Sequence, residues 1–129
     1  MRAQIYAAFA TLALGLDILK QENVALDTLL GHGGLFKTPG VAQRYLAAAA
    51  GAPVTCMETA GEGGPYGMAL LAAYRLHRAE GETLADYLKI RVFAGARSTT
   101  VTPDAADVAG FAAFLREYER ALKAERAVV

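Results

Sequence analysis

Two short segments concentrate the residues of this chain that could hold a ligand. The first, Leu29-Leu30-Gly31-His32-Gly33-Gly34-Leu35-Phe36-Lys37-Thr38-Pro39, sets a glycine turn between an apolar run and the start of a helix. Glycines let the backbone approach a flat or anionic group, and the unpaired N–H groups of a helix start offer donors to an oxygen or a phosphate. The second, Glu58-Thr59-Ala60-Gly61-Glu62-Gly63-Gly64-Pro65-Tyr66-Gly67, repeats the arrangement. If the strands before them run parallel, both loops emerge at one end of a sheet and form a crevice, which is where open α/β sheets bind ligands. Neither segment is a Walker loop or a dinucleotide-binding fingerprint. A tight turn requiring positive φ, with no ligand, is the competing reading of the glycines, and helix capping is the competing reading of Glu62.

The remaining reactive residues carry less. His32 lies in the turn without an evident carboxylate partner, so a backbone hydrogen bond suits it better than general-base work. His77 falls late in a helix, where the helix dipole favours a protonated imidazole, and lacks metal-ligand spacing. Lys37 offers a charge to a phosphate, although a solvated lysine is its alternative fate. Cys56 is the only cysteine; it excludes an internal disulfide and, inside an apolar stretch, reads as core filler. No residue is assigned a catalytic or a metal-binding role.

The elements that must position these loops follow from periodicity. Residues 3–20 predict a helix with Ile5, Phe9, Leu12, Leu16 and Leu19 on one face, and Leu14 and Ile18 elsewhere on the wheel. So broad an apolar surface calls for cover on more than one side. Residues 25–30 and 54–57 predict strands that run into the two glycine loops. Thr38 as N-cap and Pro39 as first helical residue open a helix that ends at Gly51-Ala52-Pro53. Residues 65–77 form the next helix, residues 83–92 a short one, and residues 93–101 are irregular or weakly extended. A final helix starts at Thr102-Pro103-Asp104 and carries Val108, Phe111, Leu115, Tyr118 and Leu122 on one face. The rhythm of strand, glycine turn and helix, occurring twice, predicts an α/β fold with short parallel strands and packed helices.

Composition agrees. The 129 residues suffice for one unit, and 54% hydrophobic against 20% charged residues require a packed core. With 13 basic and 13 acidic residues and no basic stripe, nucleic acid is not an expected partner. Gln4, Thr11 and Asp17 argue against a signal peptide or a membrane span in the first helix, which leads to the expectation of a cytoplasmic protein without a membrane partner.

At the two loops the sequence resembles the FGGY carbohydrate kinases, with ribulokinase-like and xylulokinase-like members nearest in character. The residues that carry the resemblance are Gly33-Gly34 with Lys37-Thr38-Pro39, then Glu62 and Gly67-Met68-Ala69-Leu70-Leu71-Ala72. It runs from the first helix to the last one, with Tyr118. His32, the bulky Leu35-Phe36 pair and the run Gly63-Gly64-Pro65-Tyr66 depart from the family pattern. The resemblance implies part of an actin-like, ribonuclease H-like ATPase lobe that holds ATP. Gly33 and Gly34 would pass close to the adenosine or its phosphates, Thr38 would bond the adenosine, and Gly31 would support the turn. Lys37 and Glu62 complete the candidate set. The sugar site, the aspartate base and the Mg2+ chemistry would belong to an N-terminal lobe outside this chain, so the expectation is a nucleotide-side fragment that does not phosphorylate a pentulose alone. A free-standing binding or self-assembling module, with a homo-oligomer completing its burial, is the alternative; glycines serving only as turns is a third reading.

Overall fold

A computed structural model describes residues 2–126. Helix α1 (Arg2–Gln21) leads into strand β1 (Leu29–Leu30), and a single 3₁₀ turn (Gly34–Lys37) separates β1 from helix α2 (Val41–Ala50). Strand β2 (Val54–Met57), a second 3₁₀ turn (Ala60–Glu62) and helix α3 (Gly63–His77) follow. Helix α4 (Leu84–Tyr87) runs on into a π-helical turn (Leu88–Val92), and strand β3 (Ser98–Val101) and helix α5 (Ala105–Arg126) complete the order.

The three strands form one sheet in the order β1-β2-β3. β1 and β2 are parallel, with Leu29 opposite Val54 and Leu30 opposite Thr55. This is the α/β architecture the two strand–glycine–helix repeats predict. The third strand is the difference: β3 pairs antiparallel to β2, with Cys56 opposite Thr99 and Thr55 opposite Thr100. Residues 93–101 read as irregular or weakly extended, because Ser98, Thr99 and Thr100 show no apolar alternation; Ser98–Val101 is extended, and the strand is held by β2 and by a bond between the Thr55 and Thr100 hydroxyls at 2.8 Å, rather than by burial of its own side chains. β1 is shorter than the predicted residues 25–30, because only Leu29 and Leu30 find a partner strand.

The main core lies between β2 and the helices α1, α2 and α5. Tyr6 is its centre: its ring meets Tyr45 edge-on at 5.4 Å and Phe111 edge-on at 5.2 Å, and Phe114 at 5.3 Å. Such edge-to-face contacts contribute about 0.5–1.5 kcal/mol each beyond area burial. Ala10, Ala13 and Ala47 are buried and admit close helix approach, and Val54 is fully buried beneath them. The buried residues of α1 are Tyr6, Phe9, Ala10 and Ala13; of the predicted face Phe9 is buried, Ile5, Leu16 and Leu19 are half-buried, and Leu12 is 44% exposed. The face is thus turned from the predicted one toward Tyr6 and the small Ala10 and Ala13. By length and composition α1 is apolar enough to cross a membrane; its Tyr6 face packs on α2 and α5. In α5 the predicted face holds, with Phe111 buried and Val108, Leu115, Tyr118 and Leu122 half-buried.

Helix ends follow local chemistry. The Asp104 carboxylate accepts from the N–H groups of Ala106 and Asp107 at 2.9 and 3.1 Å and starts α5. The Thr83 hydroxyl accepts from the Asp86 N–H and starts α4. Gly51, at φ 66°, closes α2 as predicted, its N–H donating to the Ala47 carbonyl. The start of α2 corrects the sequence reading. Thr38 and Pro39 sit in a turn, and the helix begins at Val41 behind Gly40, whose φ of 76° no helix interior can contain.

Helix α3 stands apart. None of its residues is buried; Met68 and Leu76 are 70% and 77% exposed. Its C-terminal end is tied to the segment that follows, through the Tyr74–Tyr87 ring contact at 5.4 Å, the Tyr74 hydroxyl donating to the Glu82 carbonyl at 2.8 Å, and the Arg91 guanidinium donating to the His77 carbonyl at 3.4 Å.

Candidate functional site

Because β1 and β2 are parallel, their carboxyl ends deliver both glycine loops to one end of the sheet, and the antiparallel β3 starts there too. The loops converge as the sequence implies. The Gly33 N–H donates to the Ala60 carbonyl at 2.7 Å, and Lys37 Nζ lies 3.1 Å from Glu62 Oε1. A Cβ on Gly63 would come within 3.3 Å of both the Gly33 nitrogen and the His32 Cβ, so glycine at 63 permits the contact between loops.

The three glycines of the first loop are there for different reasons. Gly31 is enclosed: a Cβ would meet the Phe36 ring at 2.5 Å and Cys56 Sγ at 2.7 Å. Gly33 has φ 104°, backbone that side-chain-bearing residues avoid. Gly34 has neither constraint, with no atom within 4 Å of a Cβ position, and the same is true of Gly64 on the second loop. Open backbone at both positions leaves room for a ligand to approach the chain closely.

A cavity of about 580 Å³ opens beside the loops, within the usual size range of small-molecule sites. Of the six residues singled out from sequence, Lys37 and Glu62 line it; Gly31, Gly33, Gly34 and Thr38 do not. The candidate residues thus divide between the glycine backbone on one side and a charged pair on the cavity side. Thr38 lies at the end of the first 3₁₀ turn with extended backbone, adjacent to both. Cys56 also borders the cavity; burial pushes its thiol up from the usual range, against a smaller opposing effect of the Gly31 backbone, so it is a poor nucleophile. His77 lies at the end of α3, away from the loops, and its backbone carbonyl accepts from Arg91.

Gln43 is the residue sequence reasoning passed over. It is buried in α2, its side-chain amide donates to the carbonyls of Val54 at 3.1 Å and Thr99 at 2.9 Å, and its Oε1 accepts from the Thr99 hydroxyl at 3.3 Å. It borders the cavity and fixes where β3 lies against α2. The available signal was its register: residues 43, 46, 47 and 50 share one helical face, and the other three are apolar. Among the described residues no three His, Cys, Asp or Glu side chains gather as a metal-ligating group.

Paired glycine loops at the carboxyl ends of adjacent parallel strands, with an α-helix after each, define the ligand-binding end of an α/β fold. Residues 1–76, more than half of the chain, match the C-terminal domain of the FGGY family of carbohydrate kinases, and the chain belongs to that family. Neither the curated proteins nor the solved structures contain a significant match. The matched residues include both loops but stop before α4, β3 and α5, so the resemblance as far as Tyr118 extends past the family match.

Proposed function

We propose that this chain supplies the adenosine side of the nucleotide site of an ATP-dependent carbohydrate kinase. The observation that carries the reading is the meeting of the two loops, Gly33 on Ala60 and Lys37 on Glu62, with open backbone left at Gly34 and Gly64. The residues present fit a nucleotide: backbone that a planar base or a phosphate can approach at Gly33 and Gly34, a hydroxyl at Thr38, a cation at Lys37, and a start of α3 that no side chain caps. Bound ATP would supply the phosphoryl group. Gly31 supports the turn, Glu62 holds Lys37, and Mg2+ belongs to the complete kinase in this reading.

Sugar recognition and the base that activates the acceptor hydroxyl are assigned to polypeptide outside these residues, which makes the chain alone inactive toward a pentulose such as a ribulokinase or xylulokinase would use. The bare surface of α3 supports this assignment, since Met68, Leu71 and Leu76 are exposed on a helix with no buried residue and a lobe of the complete kinase would cover them. The same surface favours a second reading, a self-assembling module in which a second copy provides the cover; light scattering at increasing concentration separates a monomer from an oligomer.

Photolabelling the folded chain with an azido-ATP analogue tests the nucleotide reading. Label confined to the peptides around residues 31–38 and 58–67, and competed by ATP, is the expected result; labelling spread over the surface and indifferent to ATP would overturn it.

A further inference from the structure

Glu62 immediately precedes α3, where a carboxylate ordinarily accepts from the helix's free N–H groups. It makes no such cap; its carboxylate lies against Lys37 of the other loop instead. The lysine stem is guided there by the backbone beneath it: a Cβ at residue 61 would stand 2.9 Å from Lys37 Cγ, so Gly61 lets the stem lie across the second loop. Both partners are mostly exposed, at 60% and 66%, so loop geometry rather than burial holds them together. The other cation on the cavity wall, Arg97, also faces a carboxylate, Glu58, at 3.8 Å. Neither cation bordering the cavity is free of an acidic neighbour.

We infer that Glu62 sets ligand preference at this site by occupying Lys37, so that the wild-type loops favour the nucleoside part of a ligand and a phosphate gains the lysine only by displacing Glu62. The inference rests on the nucleotide reading and deepens it, because it gives Glu62 a role opposed to phosphate binding rather than one that supports it. An exposed ion pair contributes little net stability, so the exchange is within reach of a phosphate group at ordinary concentrations. Both partners being exposed, their substitution leaves the core untouched.

The test titrates the full chain, its Glu62→Gln variant and the Glu62→Gln/Lys37→Met double variant with adenosine, ATP and inorganic pyrophosphate. Glu62→Gln is expected to tighten ATP and pyrophosphate about threefold to fivefold while adenosine stays unchanged. The double variant loses that gain, and 1 M salt compresses it through screening over roughly 3 Å. Weaker ATP binding by Glu62→Gln, or a gain that survives loss of Lys37, overturns the inference. Adenosine and ATP binding in an unaltered ratio overturns it while leaving the nucleotide reading in place. A pyrophosphate gain without any adenosine binding supports the charge exchange and removes the adenosine site, and no binding of any probe by folded protein removes both.

Discussion

The side-chain amide of Gln43 donates to the Thr99 carbonyl at 2.9 Å and so joins α2, inside the family-matched segment, to β3, outside it. The same amide holds the Val54 carbonyl at the centre of the sheet. Replacing Gln43 with Leu keeps the volume and leaves the buried Val54 carbonyl and the half-buried Thr99 carbonyl without the amide that bonds them. The expected loss is about 1–3 kcal/mol, read by urea unfolding; an unchanged midpoint would show that solvent replaces the amide without cost.

A related expectation concerns the segment past the match. Phe111 and Phe114 of α5 surround Tyr6, so the core of residues 1–76 is incomplete without α5. Phe111→Ala is expected to cost about 3–5 kcal/mol, seen as a large drop in thermal midpoint. Little change would mean that α5 is an accessory to a core that stands without it.

The glycines of the first loop predict three different outcomes for alanine. Gly31→Ala forces a methyl into Phe36 and Cys56 and should cost about 1–3 kcal/mol. Gly33→Ala meets no atom but must hold φ 104°, which costs on the order of 1–3 kcal/mol. Gly34→Ala meets neither obstacle and should unfold like the wild type. Equal effects at all three positions would contradict this division of roles.

Arg44 holds Asp107 through a side-chain hydrogen bond that lowers the carboxylate's pKa below its usual range. A lowered folded-state pKa gives stability that is present above the unfolded value of roughly 4 and is lost as pH falls through the folded value. Asp107→Asn should therefore be less stable than wild type at neutral pH, and the two should converge under acid. A gap that widens below pH 4 would reverse the sign of the argument.

Much of this was legible in the amino acids. β2, the Gly51 cap, the Asp104 start of α5 and the Phe111 face of α5 each follow from local rules that no distant contact overrides. The face of α1 was legible only in part, at Phe9 and Ile5, because alanines that touch a neighbouring helix look the same in sequence as alanines in solvent. The start of α2 failed at Gly40, whose left-handed backbone outweighed a good Thr-Pro signal. β3 was legible only as an irregular or weakly extended stretch, because its pairing with β2 and its contact with Gln43 come from residues more than 40 positions away in sequence. For the candidate site, the convergence of the loops was readable from two repeats of one pattern, whereas the pairing of Lys37 with Glu62 needed the path of the lysine over Gly61.

The most direct measurement is calorimetric titration of the folded chain with ATP and ADP, beside Gly34→Val and Thr38→Ala variants. Gly34 is the informative position, because a Cβ there has open space around it and a branched side chain extends into the room left for the ligand. The account predicts saturable binding by the wild type that is abolished in Gly34→Val and weakened in Thr38→Ala, with all three equally folded. Binding that Gly34→Val leaves intact would contradict it, as would the absence of any binding by a folded chain.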